Sequence, residues 1–188
     1  EPPGNGNDTL DYSAVTSRLR IALGTETVAL DAFGDPTGDR ATHTGDAFET
    51  VLGGTAHDLV QLHRATDAAV VLHGDTITLD GTPITTANTE DLSIRLRNAE
   101  NRRGTITIAA PVDFGRNDLL LEADTIRLNA SVTADTLALC ATQLLRPDAT
   151  LPADGNTDGA PVLLTAHQLH IQGDNGIGTA NAPLLIDA

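Results

Sequence analysis

The sequence predicts an all-β protein, a β-solenoid of about five to six coils, with an irregular N-terminal part. Apolar and polar residues alternate along many short segments, such as Asp75–Asp80 (DTITLD) and Leu92–Arg97 (LSIRLR). A strand buried on one face requires this pattern, because successive side chains point to opposite faces of a sheet. Short turns rich in Gly, Asn and Asp separate these segments, and one phrase recurs along the chain. These three observations together favour stacked short strands.

The N-terminal third is predicted to be the least regular part. Residues 1–10 (EPPGNGNDTL) are rich in Pro, Gly and Asn and are predicted to form a flexible leader. Residues 11–69 are predicted to hold strands and an irregular or capping region. Within them, residues 18–23 (RLRIAL) alternate as a strand does, whereas residues 46–64 are broken by Gly53-Gly54 and are predicted to be irregular or a short helix.

Residues 70–188 are predicted to form the repeats. A small residue, Asp-Thr and then aliphatic-x-Leu occur at Gly74–Leu79, Ala123–Leu128 and Ala134–Leu139, with a degenerate copy at Ala166–Ile171. Spacings of 22, 27, 18, 25 and 22 residues separate the apolar positions that mark successive coils, which are Val70, Leu92, Leu119, Leu137, Val162 and Leu184. Irregular spacing of this size is typical of a solenoid with variable loops.

A sandwich of about seven short strands is the alternative architecture. The solenoid is favoured because the strands are very short, because a sandwich gives no reason for the repeated phrase, and because the core lacks large aromatics. The predicted aliphatic column consists of Ile77, Leu79, Ile94, Ile106, Ile108, Ile126, Leu128, Leu137, Leu139, Leu169, Ile171, Leu184 and Ile186.

Composition excludes several functions. The chain carries 11 Arg and no Lys against 26 acidic residues, which gives a net charge of -15, and only 2% of its residues are aromatic. Nucleic-acid binding needs a basic face and stacking aromatics, so we expect none. No apolar run approaches the ~18 residues of a membrane-spanning helix, so we expect no membrane insertion. Cys140 is the single cysteine and is predicted to be a packed thiol.

Acidic loops give the one candidate metal site. Asp31, Asp35 and Asp39 are spaced four apart in a Pro- and Gly-containing loop, and their carboxylates suit Ca²⁺, which prefers oxygen ligands. Asp154 and Asp158 form a weaker case of the same kind. Asp75, Asp124 and Asp135, which begin equivalent strands, are predicted to cap turns. His167 and His170 would point to opposite faces of a strand and therefore would not share an ion.

The sequence predicts no catalytic residues and hence no enzyme. Glycoside hydrolysis needs two carboxylates at a defined separation. Acids are abundant here, but aromatic rings that would stack on a sugar are nearly absent. The serines and Cys140 lack the setting of an activated nucleophile. A carbohydrate-active β-helix enzyme is therefore the less favoured alternative.

The C-terminal segment Gly173–Ala188 (GDNGIGTANAPLLIDA) resembles the recurring phrase G-x-I-G-T-x-x-x-P-L-x-I-x-A of filamentous-haemagglutinin-like bacterial surface proteins, the adhesins of two-partner secretion. The resemblance implies a right-handed parallel β-helix. It also implies a secreted, extracellular or cell-surface location and an adhesive role, with a glycan or protein of a host or neighbouring cell as partner.

The last strand is the predicted self-association site. An uncapped terminal strand leaves backbone N–H and C=O groups unpaired, and these groups can pair with another chain. Two versions follow: subunits stack end to end into a filament, or the chain is a segment of a large exported adhesin and is monomeric alone. The residues expected to carry the contact are Pro183, Leu184, Leu185, Ile186, Asp187 and Ala188.

Overall fold

The computed structural model describes residues 9–45, 50–74, 76–87, 89–145, 162–175, 177 and 184–188, and within these ranges it contains strands and no helix. No helix in this part of the chain is therefore available to cross a membrane. One mixed sheet contains fifteen strands: β1 (Thr9–Asp11), β2 (Arg18–Leu30), β3 (Pro36–Gly45), β4 (Thr50–Leu52), β5 (Leu59–Arg64), β6 (Ala69–His73), β7 (Thr76–Leu79), β8 (Thr82–Ala87), β9 (Asp91–Leu96), β10 (Thr105–Ile108), β11 (Val112–Asp113), β12 (Leu119–Leu128), β13 (Val132–Leu145), β14 (Leu163–Gly173) and β15 (Leu185–Asp187).

The longest feature is a ladder of six parallel strands, β2, β5, β9, β12, β13 and β14. Two rows of aliphatic side chains run along it in register. The first row is Ile21, Val60, Leu92, Leu119, Leu137 and Leu169, and the second is Leu23, Leu62, Ile94, Leu121, Leu139 and Ile171. Both rows are buried as far as β13, and their β14 members are partly buried against the core.

Two further parallel ladders flank the first. β6, β10 and β12 align Val70, Ile106 and Ile126, and β13 adds Leu144 to this row. β11, β13, β14 and β15 align Val112, Val132, Leu164 and Ile186. One long strand belongs to two ladders, because β12 pairs with β9 through residues 119–122 and with β10 through residues 125–128. The chain therefore turns from one ladder to the next within one strand.

The first half of the chain also contains antiparallel pairs. β2 pairs with β3, and β7 pairs with both β6 and β8. β1, β4 and β8 form a short parallel set. The sheet is therefore mixed, and its strand order does not close on itself over the described residues. Ile77 and Leu79 are buried as predicted, but they lie in antiparallel β7 and not in a parallel column.

The prediction of an irregular or helical stretch over residues 46–64 is wrong for two strands within it, whereas residues 53–58 between them are irregular. β4 and β5 lie there, and Val51, Val60 and Leu62 point into the core. Gly53-Gly54 follows the end of β4, and the next strand, β5, begins at Leu59. Thr9 and Leu10, which the sequence placed in the leader, belong to β1.

The predicted register is right at three of its six markers. Leu92, Leu119 and Leu137 are direct neighbours in the six-strand ladder. Val70 belongs to a different ladder, and Val162 and Leu184 stand immediately before β14 and β15. Leu169, not Val162, is the neighbour of Leu137, because β14 begins at Leu163 and pairs with β13 in the register Leu137–Leu169. Ile186 is in register with buried Leu164, as an inward position requires, but it is 55% exposed on the last described strand of its row.

Replacing Ile126 tests the row of aliphatic side chains. Ile126 is fully buried between Ile106 and Leu144. We expect Ile126→Asp to lower the free energy of unfolding by about 3–5 kcal/mol, because it buries an unpaired charge. Urea denaturation measures this change. Arg127→Asp, at the exposed neighbouring position, is the control and should change it little; equal stabilities of the two variants would contradict the placement of Ile126.

Candidate functional site

The first candidate site is the free edge of β15, where the self-association residues were predicted. β15 pairs only with β14 among the described strands. The N–H of Leu185 donates to the carbonyl of Val162 at 3.1 Å. Because successive N–H groups of a strand point to opposite sides, the N–H of Ile186 points away from β14. Leu185 and Ile186 are 44% and 55% exposed. An unpaired edge with exposed apolar side chains can accept another strand.

The predicted site residues Leu184, Leu185, Ile186, Asp187 and Ala188 all lie at this edge, with Leu184 partly buried against the core. Pro183, the first residue of the predicted set, lies outside the described residues. So do Asp75 and the loop that contains Asp154 and Asp158.

Carboxylates at the start of three strands of the six-strand ladder link neighbouring strands; those of Asp58 and Asp91 are buried, and that of Asp118 is exposed. The Asp58 carboxylate accepts hydrogen bonds from the N–H groups of Leu19 (2.7 Å) and Gly54. The Asp91 carboxylate accepts one from the N–H of Asp118 at 2.9 Å. Asp118 in turn accepts one from the N–H of Thr136 at 3.1 Å. Each carboxylate thus satisfies a backbone donor on an adjacent turn of chain.

The carboxylate of Asp91 also carries two basic partners. His57 Nε2 lies 2.9 Å from its Oδ2, and Arg18 Nη2 lies 3.5 Å from the same atom. Glu90 Oε2 accepts a hydrogen bond from the N–H of Asp58 at 2.6 Å. The acids at this corner therefore hold the fold together.

A cavity of about 160 Å³ opens beside this corner, between β8 and β11. These two strands are not paired with each other in the described part of the chain. Val60, Leu72, Ile77 and Leu92 give the cavity an apolar floor. Polar groups, including Glu90 and Asp113, stand among its other lining residues. The four apolar residues of this floor are themselves buried members of the core.

The second candidate site is a groove of about 480 Å³ on the outer face of β5 and β9, which we call the arginine groove. Arg95 and Arg97 lie in it, and no acidic side chain does among its described lining residues. In a chain of net charge -15 this local excess of positive charge is unusual. The polar residues that define the groove are Gln61, His63, Ser93, Arg95, Arg97 and Asn98.

Arg97 is held in place by other residues, whereas Arg95 has no such partner among the described residues. Arg97 Nη1 donates to Glu122 Oε1 at 3.0 Å, and its Nε donates to the carbonyl of Asn98 at 3.3 Å. Arg95 is exposed and makes no hydrogen bond or ion pair with a described residue. Glu122 is the register neighbour of Arg95 on β12, but Oε1 of Glu122 already forms ion pairs with Arg97 and Arg102.

A tight loop at residues 97–104 forms one wall of the groove. Asn98 Oδ1 accepts hydrogen bonds from the N–H groups of Glu100 (3.0 Å) and Asn101 (2.8 Å). Gly104 ends the loop with a φ of +61°, and a Cβ at this position would lie 2.2 Å from the carbonyl oxygen of Ala68. Only glycine fits this close approach of two backbones.

Behind the loop, an ion-pair network spans several strands. Arg102 Nη1 donates to Asp174 at 2.7 Å, and Arg102 Nε lies 3.6 Å from Glu122. Gln172 Nε2 donates to Asp174 at 3.3 Å. These groups line a separate hollow of about 540 Å³ in which acids outnumber bases. The network fixes Arg102 and Glu122 and therefore supports the arginine groove from one side.

The predicted calcium residues lie in and beside the β2–β3 turn. Asp31 Oδ1 accepts hydrogen bonds from the N–H groups of Phe33 (2.8 Å) and Asp35 (2.9 Å), so it acts as a turn cap. Asp35 lies in the turn and Asp39 lies on β3. No group of three or more His, Cys, Asp or Glu side chains that could hold a metal is found among the described residues. Calcium binding at Asp31, Asp35 and Asp39 remains a prediction.

Other sequence candidates have local roles. His167 Nδ1 lies 3.2 Å from Asp135 Oδ1 on the neighbouring strand.

Cys140 is half-buried on the outer face of β13, where it aligns with Glu122 and Gln172. Burial raises the pKa of the Cys140 thiol, and Arg102 opposes that effect. The thiol is therefore mostly protonated at neutral pH.

The sequence analysis missed the arginine groove and the linking role of Asp58 and Asp91. A signal for the groove was present, because Arg95, Arg97, Arg102 and Arg103 fall within nine residues and are four of the eleven arginines in the chain. No family model, curated protein or solved structure matches this chain. The class that the fold defines is an all-β protein with one mixed sheet of stacked parallel ladders, and membership of the filamentous-haemagglutinin-like family stays a prediction.

Removing the Asp58 carboxylate tests the links between strands. We expect Asp58→Ala to lower the free energy of unfolding by about 3 kcal/mol, because two buried N–H groups lose their acceptor. Asp67→Ala, at an exposed position, is the control and should stay within about 0.5 kcal/mol of the parent. Guanidinium denaturation of both variants measures the difference, and a loss no larger than that of the control would contradict the linking role.

Alkylation tests the state of Cys140. Because burial raises the pKa of this thiol, the reactive thiolate is scarce at pH 8. We expect iodoacetamide to modify the folded chain several-fold more slowly than the urea-unfolded chain at the same pH. Mass spectrometry follows the reaction, with a free cysteine peptide in both buffers as the control for the effect of urea. A folded rate equal to the unfolded rate would contradict the assignment.

Proposed function

We propose that this chain is a non-enzymatic β-solenoid with a structural or adhesive role at a bacterial surface or in an extracellular filament, and that its ladders extend by strand pairing at β15. The carrying observation is the free edge of β15, where the N–H of Ile186 faces away from β14. Exposed Leu185 and Ile186 flank that donor.

The ladders support the solenoid. β12, β13 and β14 each pass from one parallel ladder to another along their length, as a chain that winds around an axis must do. Aliphatic side chains of similar size fill the interior in rows, so each turn of chain offers the next a matching surface. A right-handed winding is part of the proposal, because it is what the resemblance to filamentous-haemagglutinin-like proteins implies.

Two arrangements would satisfy the edge of β15. In the first, a second copy of the chain adds its first strand there, and subunits stack end to end into a filament. In the second, the chain is a segment of a large exported adhesin in which further coils of the same polypeptide follow. Both bury Leu185 and Ile186 and pair the N–H of Ile186. In the filament, the net charge of -15 would oppose non-specific aggregation of finished filaments.

A secreted or cell-surface location belongs to the same proposal, and so does a glycan or protein of a host or neighbouring cell as binding partner. Their support is the resemblance of Gly173–Ala188 to the adhesin repeats.

Replacing Ile186 with proline tests whether the edge of β15 pairs with another strand. Ile186→Pro removes the N–H that faces outward and leaves the Leu185–Val162 hydrogen bond in place. We expect the parent chain to form end-to-end polymers that are visible by negative-stain electron microscopy, and the variant to form none. Ile186→Val keeps both the N–H and the β-branched shape, and it should polymerise like the parent. A parent that remains as discrete particles would contradict end-to-end stacking and favour the adhesin-segment arrangement.

A further inference from the structure

An exposed aromatic stands at the tip of the β2–β3 hairpin. Phe33 is 91% exposed, whereas Tyr12 and Phe114 pack against the core. Asp31 and Asp35 flank it, and neither makes an ion pair with a described residue. We call these three residues the acidic tip. A large apolar ring held out in water is costly to expose, and such rings anchor protein interfaces when a partner covers them.

The acidic tip is held in one conformation. Asp31 Oδ1 accepts the N–H groups of Phe33 and Asp35, the N–H of Asp31 donates to the carbonyl of Asp35 at 2.9 Å, and Gly34 has a φ of +86°. A turn that is already ordered loses little conformational entropy on binding. The tip is therefore preorganised as a docking element.

The arginine groove has the complementary chemistry. Arg95 makes no ion pair with a described residue, Arg97 is fixed by Glu122, and the described lining contains no acid. Guanidinium groups form charge-assisted hydrogen bonds with carboxylates and also stack on aromatic faces. An acidic segment that carries an aromatic ring satisfies both preferences, and the acidic tip is such a segment.

We propose that the arginine groove of one copy of this chain receives the acidic tip of a second copy, with Arg95 pairing with Asp35 and the two guanidinium groups packing around the Phe33 ring. At physiological ionic strength charges interact only over about 8 Å, so this local complementarity acts despite the net charge of -15. The tip and the groove are different surfaces, so the contact is head-to-tail and joins copies side by side. It is independent of strand pairing at β15.

Charge reversal and its rescue test the contact. All variants carry Ile186→Pro, so that pairing at β15 does not contribute. Sedimentation velocity over a concentration series measures the apparent dissociation constant for self-association. We expect Arg95→Glu, Asp35→Arg and Phe33→Ala each to weaken self-association at least tenfold. The double variant Arg95→Glu/Asp35→Arg should recover most of the loss, because the pair is restored with reversed polarity.

Two exposed positions provide matched controls with the same charge changes. Arg127→Glu and Asp67→Arg should leave self-association within about twofold of the Ile186→Pro parent. The proposal is overturned if these controls weaken association as much as the site variants, or if the double variant does not recover. It is equally overturned if the Ile186→Pro parent remains monomeric at about 1 mM. In that last case the groove serves an anionic ligand other than this chain, whatever the outcome at β15.

Discussion

The structure depends on the repeated burial of one aliphatic side chain against the same kind of side chain in the next strand. Ile21, Val60, Leu92, Leu119 and Leu137 follow one another in a single row, and each is nearly or fully buried. Burying one such side chain contributes about 1.5–3 kcal/mol. Because parallel strands in register place like residues side by side, each row also fixes the backbone hydrogen bonds beside it. Packing and hydrogen bonding therefore specify the same register.

At the turns, where the aliphatic rows end, carboxylates accept the backbone hydrogen bonds that link neighbouring strands. Asp58 is completely buried, yet both of its oxygens accept backbone hydrogen bonds, so its desolvation is offset. Asp91 and Asp118, on later strands, each accept one backbone hydrogen bond from a neighbouring strand or the turn before it. Part of the acidity of this chain is thus structural, because these side chains replace backbone acceptors that the turns cannot supply.

The alternation of side chains was enough to predict strands, their inward faces and the stacking of Leu92, Leu119 and Leu137, because burial on one face is a local property of the sequence. It could not predict that β7 runs antiparallel, because Ile77 and Leu79 alternate in the same way in either direction. It also could not predict β4, since a strand of three residues beside Gly53-Gly54 carries almost no pattern. The arginine groove depends on β5 and β9 being neighbours, and this pairing joins residues that are far apart in the chain. The groove therefore needed the fold before it could be recognised.

The ladders place no fixed requirement on the length of chain between their strands. Leu119 and Leu137 are adjacent in the ladder and are joined by a short connection. Leu137 and Leu169 are equally adjacent, but the connection between them is much longer. Insertions and deletions at the corners therefore leave the interior unchanged. Two polypeptides could share every buried row and still differ in the number and spacing of their residues, and an alignment that penalises gaps would treat them as unrelated. Kinship among such chains is better sought in the order of inward-facing positions than in aligned letters.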